Sequence, residues 1–430
     1  MPMFDKIDQI IEENRERSVE LLGNLTRWYP EGEEAFQQRI ADTMEELGCE
    51  VTIKKLLPVD VQLKKEFAVA EAIDMTERTH VIGVYKGTGG GKSLMLITHP
   101  DADPIKTDTW TKEPHTGQIV DGKMYGWAVA DDSAGIAMMI EAVRALMQAG
   151  YEPKGDISLL SATAKRQAWG IAAILMDGFK SDAAIYMHPG ESELGMKEVK
   201  TLTSGLLKFR IKVKGMRPPK TEFVQVTFHH LGVSPIEKAM YVIEELKKYD
   251  EARRKRIIYP PLNDYIGRGT QLLNTYIESG KKDNLTDMPP DCVLGFGLTF
   301  PPPEDIDDLV KEVEAEVKRI SDSDPWLKEN PLELQWIQGT QGVEVALDHP
   351  VVLTTMDAIE DVTGERPFSN PLYSKSDVRT PMLIANIPNV GFGPLAGDLA
   401  TTGGTDEWVD LDDYVEAIKV TARIIVNWCG

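Results

Sequence analysis

A histidine and an aspartate stand two residues apart where a strand is predicted to end. The apolar run 94–97 indicates a buried strand, and His99 and Asp101 follow it. Because side chains at i and i+2 lie on the same face of an extended chain, the Asp101 carboxylate is expected to orient the His99 ring. An imidazole held in this way at the end of a strand suits a metal site.

Two further aspartates precede the next strong helical pattern. Asp131 and Asp132 stand directly before residues 133–149, where apolar side chains recur at helical spacing. An acid in this position is commonly only an N-cap, whose carboxylate accepts backbone N–H groups of the first turn. On these residues alone, capping and metal binding both remain open.

These residues lie in segments that resemble a known family. The segments are HPD (99–101), WTKEPHTG (110–117) and GKMYGWAVADD (122–132). Together they are similar to the aminoacylase, carboxypeptidase G and succinyl-diaminopimelate desuccinylase family of zinc hydrolases, and the likeness extends over nearly the whole chain. It implies that His99 and Asp131 are metal ligands, that Asp131 occupies the place of a metal-bridging aspartate, and that Asp101 is the supporting acid.

The same resemblance places a third metal ligand at His188. The family has an acid in this segment, whereas the chain reads IYMHPGES at 185–192. Imidazole is a good ligand for transition metals, so the substitution keeps the site, although a strand-end histidine bonded to the backbone is the alternative. His99, Asp131 and His188 would form a two-histidine, one-carboxylate site for a divalent transition metal, manganese or zinc, with positions left for water and substrate.

The family's second metal and its general base have no counterpart in this sequence. A pair of glutamates normally follows the strand that ends near residue 162, and Lys165 and Arg166 occupy those places. Gly403 stands where the family has a second-metal histidine. Because two cations would repel a second divalent ion, we expect one metal per subunit, with Lys165 and Arg166 available to stabilise negative charge on the substrate.

The resemblance also implies a smaller domain that acts as a lid, and two histidines in it are catalytic candidates. The family's lid histidine aligns with Pro219, and His229 and His230 lie further along the same stretch. This histidine pair (His229 and His230) could reach an active site across a dimer and stabilise developing charge. The alternative is two exposed turn histidines.

Arg379, in the segment SKSDVR, matches an arginine that binds the substrate carboxylate in the family. A guanidinium fork suits a carboxylate, and a chain of net charge −22 needs a local cation to hold an anion. The alternative is an ion pair with Asp377.

The order of elements predicts one domain inserted in another. Alternating strand and helix patterns in residues 1–201 and 339–430 indicate an α/β fold with a mostly parallel sheet covered on both faces, and the resemblance implies a zinc-peptidase-like catalytic domain. Residues 202–338 read as βαββαβ, which resembles the family's ferredoxin-like α+β lid and dimerisation domain. The segment GTGGGKS at 87–93 lacks the spacing of a phosphate loop, and we expect a glycine-rich hairpin there.

Composition bears on the partners and the compartment. A net charge of −22 opposes binding to nucleic-acid phosphates and to anionic membrane surfaces, and no apolar run reaches membrane-spanning length. The chain has three widely spaced cysteines, which predict no disulfide framework, so we expect a cytoplasmic protein. The resemblance implies a small-molecule carboxylate substrate and a homo-oligomer, at least a dimer, formed through the lid domain.

Three functions remain open at this stage. The first is metal-dependent hydrolysis of a C–N bond in a small carboxylate, the second is non-catalytic binding, and the third is an ordinary amidohydrolase, deacylase or dipeptidase with a displaced base. Since the family's general base is absent, the departures favour a substrate that can store negative charge itself. An aromatic amine with a para electron-withdrawing group is one, so the specific expectation is hydrolysis of 5-nitroanthranilate to 5-nitrosalicylate and ammonia.

Overall fold

The structure is a computed structural model that describes residues 2–57, 65–69, 76–102, 105, 109–163, 169–190, 192–219, 224–397 and 405–430. The helices are α1 (Met3–Glu13), α2 (Arg15–Trp28), α3 (Glu33–Glu46), α4 (Ala134–Ala149), α5 (Trp169–Met176), α6 (Pro235–Arg256), α7 (Pro260–Ile266), α8 (Ile306–Ser323), α9 (Pro325–Glu329), α10 (Pro350–Thr363), α11 (Arg379–Ala385) and α12 (Leu411–Cys429). The strands are β1 (Glu50–Leu56), β2 (Glu66–Ala68), β3 (Arg78–Tyr85), β4 (Leu94–Thr98), β5 (Gln118–Val120), β6 (Lys123–Tyr125), β7 (Ile157–Ala162), β8 (Ala183–Tyr186), β9 (Glu198–Val199), β10 (Leu202–Thr203), β11 (Gly205–Lys214), β12 (Gln271–Ser279), β13 (Asp291–Phe300), β14 (Glu333–Thr340), β15 (Val343–Glu344), β16 (Phe368–Ser369), β17 (Asn389–Gly391) and β18 (Trp408–Asp410).

A six-stranded sheet in the order β1-β3-β7-β4-β8-β17 forms the centre of the larger domain. The strands β7, β4, β8 and β17 are mutually parallel. Among the described strands of this sheet, only β3 runs against the others, because it pairs antiparallel with both β1 and β7. The mostly parallel sheet predicted from the alternating pattern is therefore confirmed for these strands.

The central strand β4 is buried on both faces. Leu94 and Leu96 pack into the core that includes α1 to α4, α10 and α12. Met95 and Ile97 point to the opposite face, where they pack with residues of α5 and with residues near α11. Because helices cover both faces, β4 is a continuous apolar run and shows no polar alternation, as expected for a buried parallel strand.

Residues 205–340, here called the second unit, form an antiparallel sheet of their own. Its strands lie in the order β12-β13-β11-β14, and β2 from the first part of the chain adds a fifth strand beside β14. The apolar sides of α6 and α8 contribute to the core beneath this sheet. The βαββαβ order predicted from the sequence is present, whereas the addition of β2 was not predicted. The short strand β10 pairs with β15 outside this sheet, and the first strand of the sheet within the second unit begins at Gly205.

The glycine-rich segment 87–93 is a loop and not the expected hairpin. It connects β3 to β4, and β7 lies between these two strands in the sheet. The loop packs tightly against the chain near Gly155, since a Cβ on Gly91 would lie 2.5 Å from the Gly155 nitrogen. Gly87 and Gly91 therefore serve close backbone packing, whereas Gly89 and Gly90 have positive φ angles of 99° and 87°.

The three cysteines are buried and unpaired, as the sequence indicated: Cys49, Cys292 and Cys429. Within the described residues, no helix combines the length and the apolar character that crossing a bilayer requires.

Candidate metal centre

Three side chains from distant parts of the chain converge at the carboxyl ends of the parallel strands. His99 follows β4, His188 follows the neighbouring strand β8, and Asp131 lies just before α4. Asp131 Oδ1 is 2.8 Å from His188 Nε2 and 3.2 Å from His99 Nε2. The three side chains are buried, and we refer to them as the three-ligand cluster.

Backbone pairing explains why the two histidines are neighbours. In the parallel register of β4 and β8, Ile97 lies opposite Tyr186, and the Met187 amide donates to the Ile97 carbonyl at 2.9 Å. Each histidine comes two residues after its member of this pair, so both imidazoles leave the sheet at the same edge.

A glycine allows the start of α4 to approach this edge. A Cβ placed on Gly135 would lie only 1.8 Å from the Met187 carbonyl oxygen, so no larger residue fits without a shift. This contact holds the segment before α4, with Asp131 in it, against the end of β8.

The two aspartates before α4 have different roles. Asp131 directs its carboxylate to the histidines, whereas Asp132 accepts hydrogen bonds from the backbone N–H groups of His99 and Gly135. The capping contact expected as an alternative therefore belongs to Asp132. Asp132 is fully buried, and burial raises the pKa of its carboxyl well above the usual range, although the two N–H groups and the Lys200 ammonium act in the opposite direction.

Both histidines are oriented through backbone carbonyl groups. His99 Nδ1 is 2.9 Å from the Asp101 carbonyl oxygen, and His188 Nδ1 is 2.6 Å from the Pro189 carbonyl oxygen. These contacts turn both Nε2 atoms toward Asp131. The sequence argument expected the Asp101 carboxylate to hold His99; the structure shows the main chain in that contact, and the carboxylate forms an ion pair with Arg78 at 3.2 Å.

The donor atoms of the cluster fit a divalent transition ion. Ligand atoms about 2.0–2.2 Å from one shared ion lie roughly 3 Å from each other, and the distances of 2.8 and 3.2 Å from Asp131 Oδ1 to the two Nε2 atoms agree with that. Two imidazole nitrogens and one carboxylate oxygen suit zinc and manganese. Because no fourth histidine, cysteine or acid joins the cluster in the described part of the chain, positions remain for other donors.

Sequence reasoning missed a buried lysine beside the cluster. Lys200 Nζ is 3.0 Å from His188 Nδ1 and 3.1 Å from the Pro189 carbonyl oxygen, and the ammonium lies 4.6 Å from the centre of the Tyr373 ring. The side chain is buried, so it places a positive charge behind His188. No spacing in the sequence links Lys200 to His188, because the two residues meet only through the folding of the chain after β8.

The histidine pair lies in the second unit and is exposed. The two rings are 6.2 Å apart, and they line a cavity of about 530 Å³ together with residues such as Asp287 and Met288. Neither ring belongs to the three-ligand cluster of the same chain. Their catalytic role across a dimer stays a prediction.

Arg379 is fully buried and already has partners. Its guanidinium pairs with Glu66, and its Nη1 lies 3.0 Å from Asp377 Oδ1. The same nitrogen donates to the carbonyl oxygens of Lys375 and Ser376 at 2.9 and 3.0 Å. The structure therefore has the ion pair with Asp377 that was the alternative, and a guanidinium so occupied does not bind a substrate carboxylate in this conformation.

Lys165, Arg166 and Gly403 lie outside the described residues. The sequence-based prediction that they replace the second-metal ligands and the general base therefore stays a prediction.

Fold and site define an α/β protein whose candidate metal centre lies at the carboxyl ends of parallel strands. Residues 95–427 match the model of peptidase family M20/M25/M40, and the chain belongs to this family. It is accordingly an enzyme of a group that acts on C–N bonds.

Relatives that match nearly the whole chain include two proteins named as N-formyl-4-amino-5-aminomethyl-2-methylpyrimidine deformylases. The protein from Bacillus subtilis (strain 168) is 24% identical, with 98% of this chain and 96% of the relative covered. The protein from Halalkalibacterium halodurans is 23% identical, with 97% and 96% covered. These names do not include the nitroaromatic hydrolysis expected from the sequence.

Solved structures share the fold over the full length. The di-peptidase Dug1p from Saccharomyces cerevisiae has a TM-score of 0.70 at 15% identity, covering 100% of this chain and 99% of that one. Aminopeptidase PepT from Bacillus cereus has a TM-score of 0.68 at 17% identity, covering 96% and 98%. The YXEP protein of Bacillus subtilis, described as a dinuclear metal-binding peptidase, has a TM-score of 0.61 at 16% identity, covering 97% and 99%.

Proposed function

We propose that this chain is a metal-dependent hydrolase that cleaves a C–N bond in a small molecule at the three-ligand cluster. The observation that carries the proposal is that the Asp131 Oδ1 atom lies 3.2 Å from His99 Nε2 and 2.8 Å from His188 Nε2. His188 bonds to the backbone through Nδ1, as in the structural alternative, but that alternative does not account for a second imidazole and a carboxylate on its Nε2 side. Family membership supports hydrolysis over mere binding.

The bound ion would supply an activated water and would polarise the bond to be cleaved. The residues of the chain hold the site in position for this. The carbonyl oxygens of Asp101 and Pro189 keep the two Nε2 atoms aimed at one point, and burial keeps bulk water away from them. The positive charge of Lys200 lies behind His188, and it acts on the pKa of the Asp132 carboxyl in the direction opposite to burial.

We propose a formamide as the first candidate substrate. The two relatives described above are named as deformylases of an N-formylated aminomethylpyrimidine. A formyl group is small enough for a buried site, and its removal releases formate.

The aromatic amine remains a second candidate because of Lys165 and Arg166. Two cations in place of the family's glutamates favour a substrate on which negative charge develops and disfavour one that needs a general base. In this reaction water replaces the amino group of 5-nitroanthranilate, and ammonia leaves. This pattern resembles that of 5-nitroanthranilate aminohydrolase.

One assay separates the two candidates and tests the proposal. Purified protein, loaded with manganese or zinc, is incubated with N-formyl-4-amino-5-aminomethyl-2-methylpyrimidine, with 5-nitroanthranilate and with a panel of N-acyl amino acids and dipeptides. Formate release would support the first candidate, ammonia release the second, and acid or amino-acid release an ordinary deacylase or dipeptidase. Absence of any metal-stimulated turnover would contradict the proposed function.

We further propose one ion per chain and a homodimer formed through the second unit. We expect a single ion because the positive charges of Lys165 and Arg166 would repel a second divalent ion. For the dimer, β12 is an edge strand among the described strands, and Leu273 and Ile277 on it are 65% and 58% exposed. An edge with exposed apolar side chains is suited to pairing with a second copy. The three buried, unpaired cysteines support a reducing compartment such as the cytoplasm.

A further inference from the structure

The hydroxyl group of Tyr186 points at the three-ligand cluster. Tyr186 is the last residue of β8, two positions before His188, and it is buried. Its hydroxyl oxygen is 3.1 Å from His99 Nε2. Since His99 Nδ1 is engaged with the Asp101 carbonyl oxygen, Nε2 carries the lone pair, and the Tyr186 hydroxyl donates to it. That lone pair is the one through which His99 would bind an ion.

The distance between the Tyr186 hydroxyl oxygen and His99 Nε2 is the one expected between two ligands of the same ion. The three short contacts at this point measure 2.8 Å (His188 to Asp131), 3.2 Å (His99 to Asp131) and 3.1 Å (Tyr186 to His99). Donor atoms that share an ion at about 2.0–2.2 Å lie roughly 3 Å apart. The Tyr186 oxygen is therefore at the distance from His99 Nε2 that a further ligand of the same ion would have.

The Tyr186 ring is held in this position. It stacks on the His188 ring with centres 4.9 Å apart and planes at 22°. On the backbone, Tyr186 pairs with Ile97 of β4 on one side and with Gly391 of β17 on the other. A buried ring on a doubly paired strand loses little further conformational freedom when its oxygen binds an ion.

We propose that Tyr186, as a phenolate that releases its proton to solvent when the ion binds, supplies the fourth protein donor atom of the metal centre, which gives a set of two nitrogens and two oxygens. This inference rests on the proposed function, because it assigns a further residue to the same ion. An additional oxygen donor shifts the site toward harder transition ions, so manganese or iron suits it better than the three-ligand cluster alone would indicate.

The test compares the wild-type chain with Tyr186→Phe, which removes only one oxygen atom, and with the control Tyr151→Phe. The Tyr151 hydroxyl bonds to the Val426 carbonyl oxygen, and Tyr151 follows the far end of α4. Each protein is loaded with iron(III), and a phenolate-to-iron charge-transfer band is sought in the visible spectrum. Manganese(II) affinity is measured by equilibrium dialysis with plasma spectrometry, and circular dichroism checks that each variant is folded.

We expect the band in the wild type and in Tyr151→Phe and its loss in Tyr186→Phe, whose manganese affinity should fall by about tenfold or more. A band that survives in Tyr186→Phe, or iron bound in equal amount to the wild-type chain without any band, would overturn the inference. The two proposals fail in different ways. A band that depends on Tyr186 in a protein that hydrolyses no substrate would overturn only the proposed function. Hydrolysis by the wild type, together with the same band and manganese affinity in Tyr186→Phe, would overturn only this inference. A wild-type chain that takes up no ion would overturn both.

Discussion

Replacing Arg379 with methionine should destabilise the fold and should not act mainly on substrate binding. The guanidinium has no exposed surface, and its partners Glu66 and Asp377 have side chains that are only 4% and 8% exposed. Methionine fills a similar volume without charge, so both carboxylates would stay buried without their cation. Removing one partner from a buried ion pair costs about 3–5 kcal/mol, and two carboxylates share this arginine.

An exposed arginine with two acidic partners provides the matched control. Arg366 pairs with Asp357 and Glu360 at 2.7 Å each, but its side chain is 42% exposed. Exposed pairs contribute about 0.2–1 kcal/mol, so Arg366→Met should change stability little. Urea unfolding followed by circular dichroism gives the midpoint for each protein and needs no substrate.

The expected result is a large fall in the urea midpoint for Arg379→Met and almost none for Arg366→Met. If Arg379→Met unfolds at the same urea concentration as the control while its KM rises, then Arg379 binds substrate and the reasoning from its burial is wrong. A conservative Arg379→Lys variant should also be destabilised, because an ammonium cannot contact both carboxylates and both carbonyl groups as the guanidinium does.

Four further expectations follow from the same structure. His99→Ala and His188→Ala should each remove the bound ion and abolish turnover. Plasma spectrometry of the wild type should find one ion per chain, and two tightly bound ions would contradict the single-metal proposal. Burial lowers the pKa of His80 to about 4. Between pH 6.5 and 4 the unfolded chain therefore binds a proton at His80 that the native chain does not bind, and the free energy of unfolding should decrease by on the order of 3 kcal/mol as the pH falls through this range. His80→Leu should make this part of the pH dependence flatter, and equal slopes in the variant and the wild type would show that His80 does not contribute. Leu273→Asp in β12 should convert a dimer to monomers in analytical ultracentrifugation, and a dimer that survives would place the interface elsewhere. Alanine at both members of the histidine pair should lower turnover without changing the thermal unfolding curve, whereas unchanged turnover would leave them as exposed turn residues.

The fold class could be predicted because its signal is local, and the resemblance to the family indicated the three residues of the cluster. A run of apolar residues such as 94–97 identifies a strand buried on both faces, and a ligand placed just after it reaches the sheet edge where such strands end. The position of Tyr186 beside the cluster could also have been predicted, since it lies two residues before His188 on the same strand face. The spacing was present in the sequence, but a tyrosine within a strand more often belongs to the core.

Other features depend on residues that no periodicity connects. Glu66 and Arg379 are 313 positions apart, and only the tertiary structure shows that the two side chains pair. The prediction of a hairpin at 87–93 was wrong for a similar reason. The strand β7 follows much later in the chain, but it lies between β3 and β4 in the sheet.

The sequence by itself determined the α/β class, the βαββαβ order of the second unit and the positions of His99, Asp131 and His188 at the ends of elements. These follow from hydrophobic periodicity and residue type, which act over a few residues. Only the tertiary structure decided which oxygen holds His99, that Lys200 lies behind His188, and that Arg379 is already occupied by Glu66 and Asp377. These contacts are set by how the strands and helices pack, and packing brings together side chains whose distance along the chain carries no information about their distance in space.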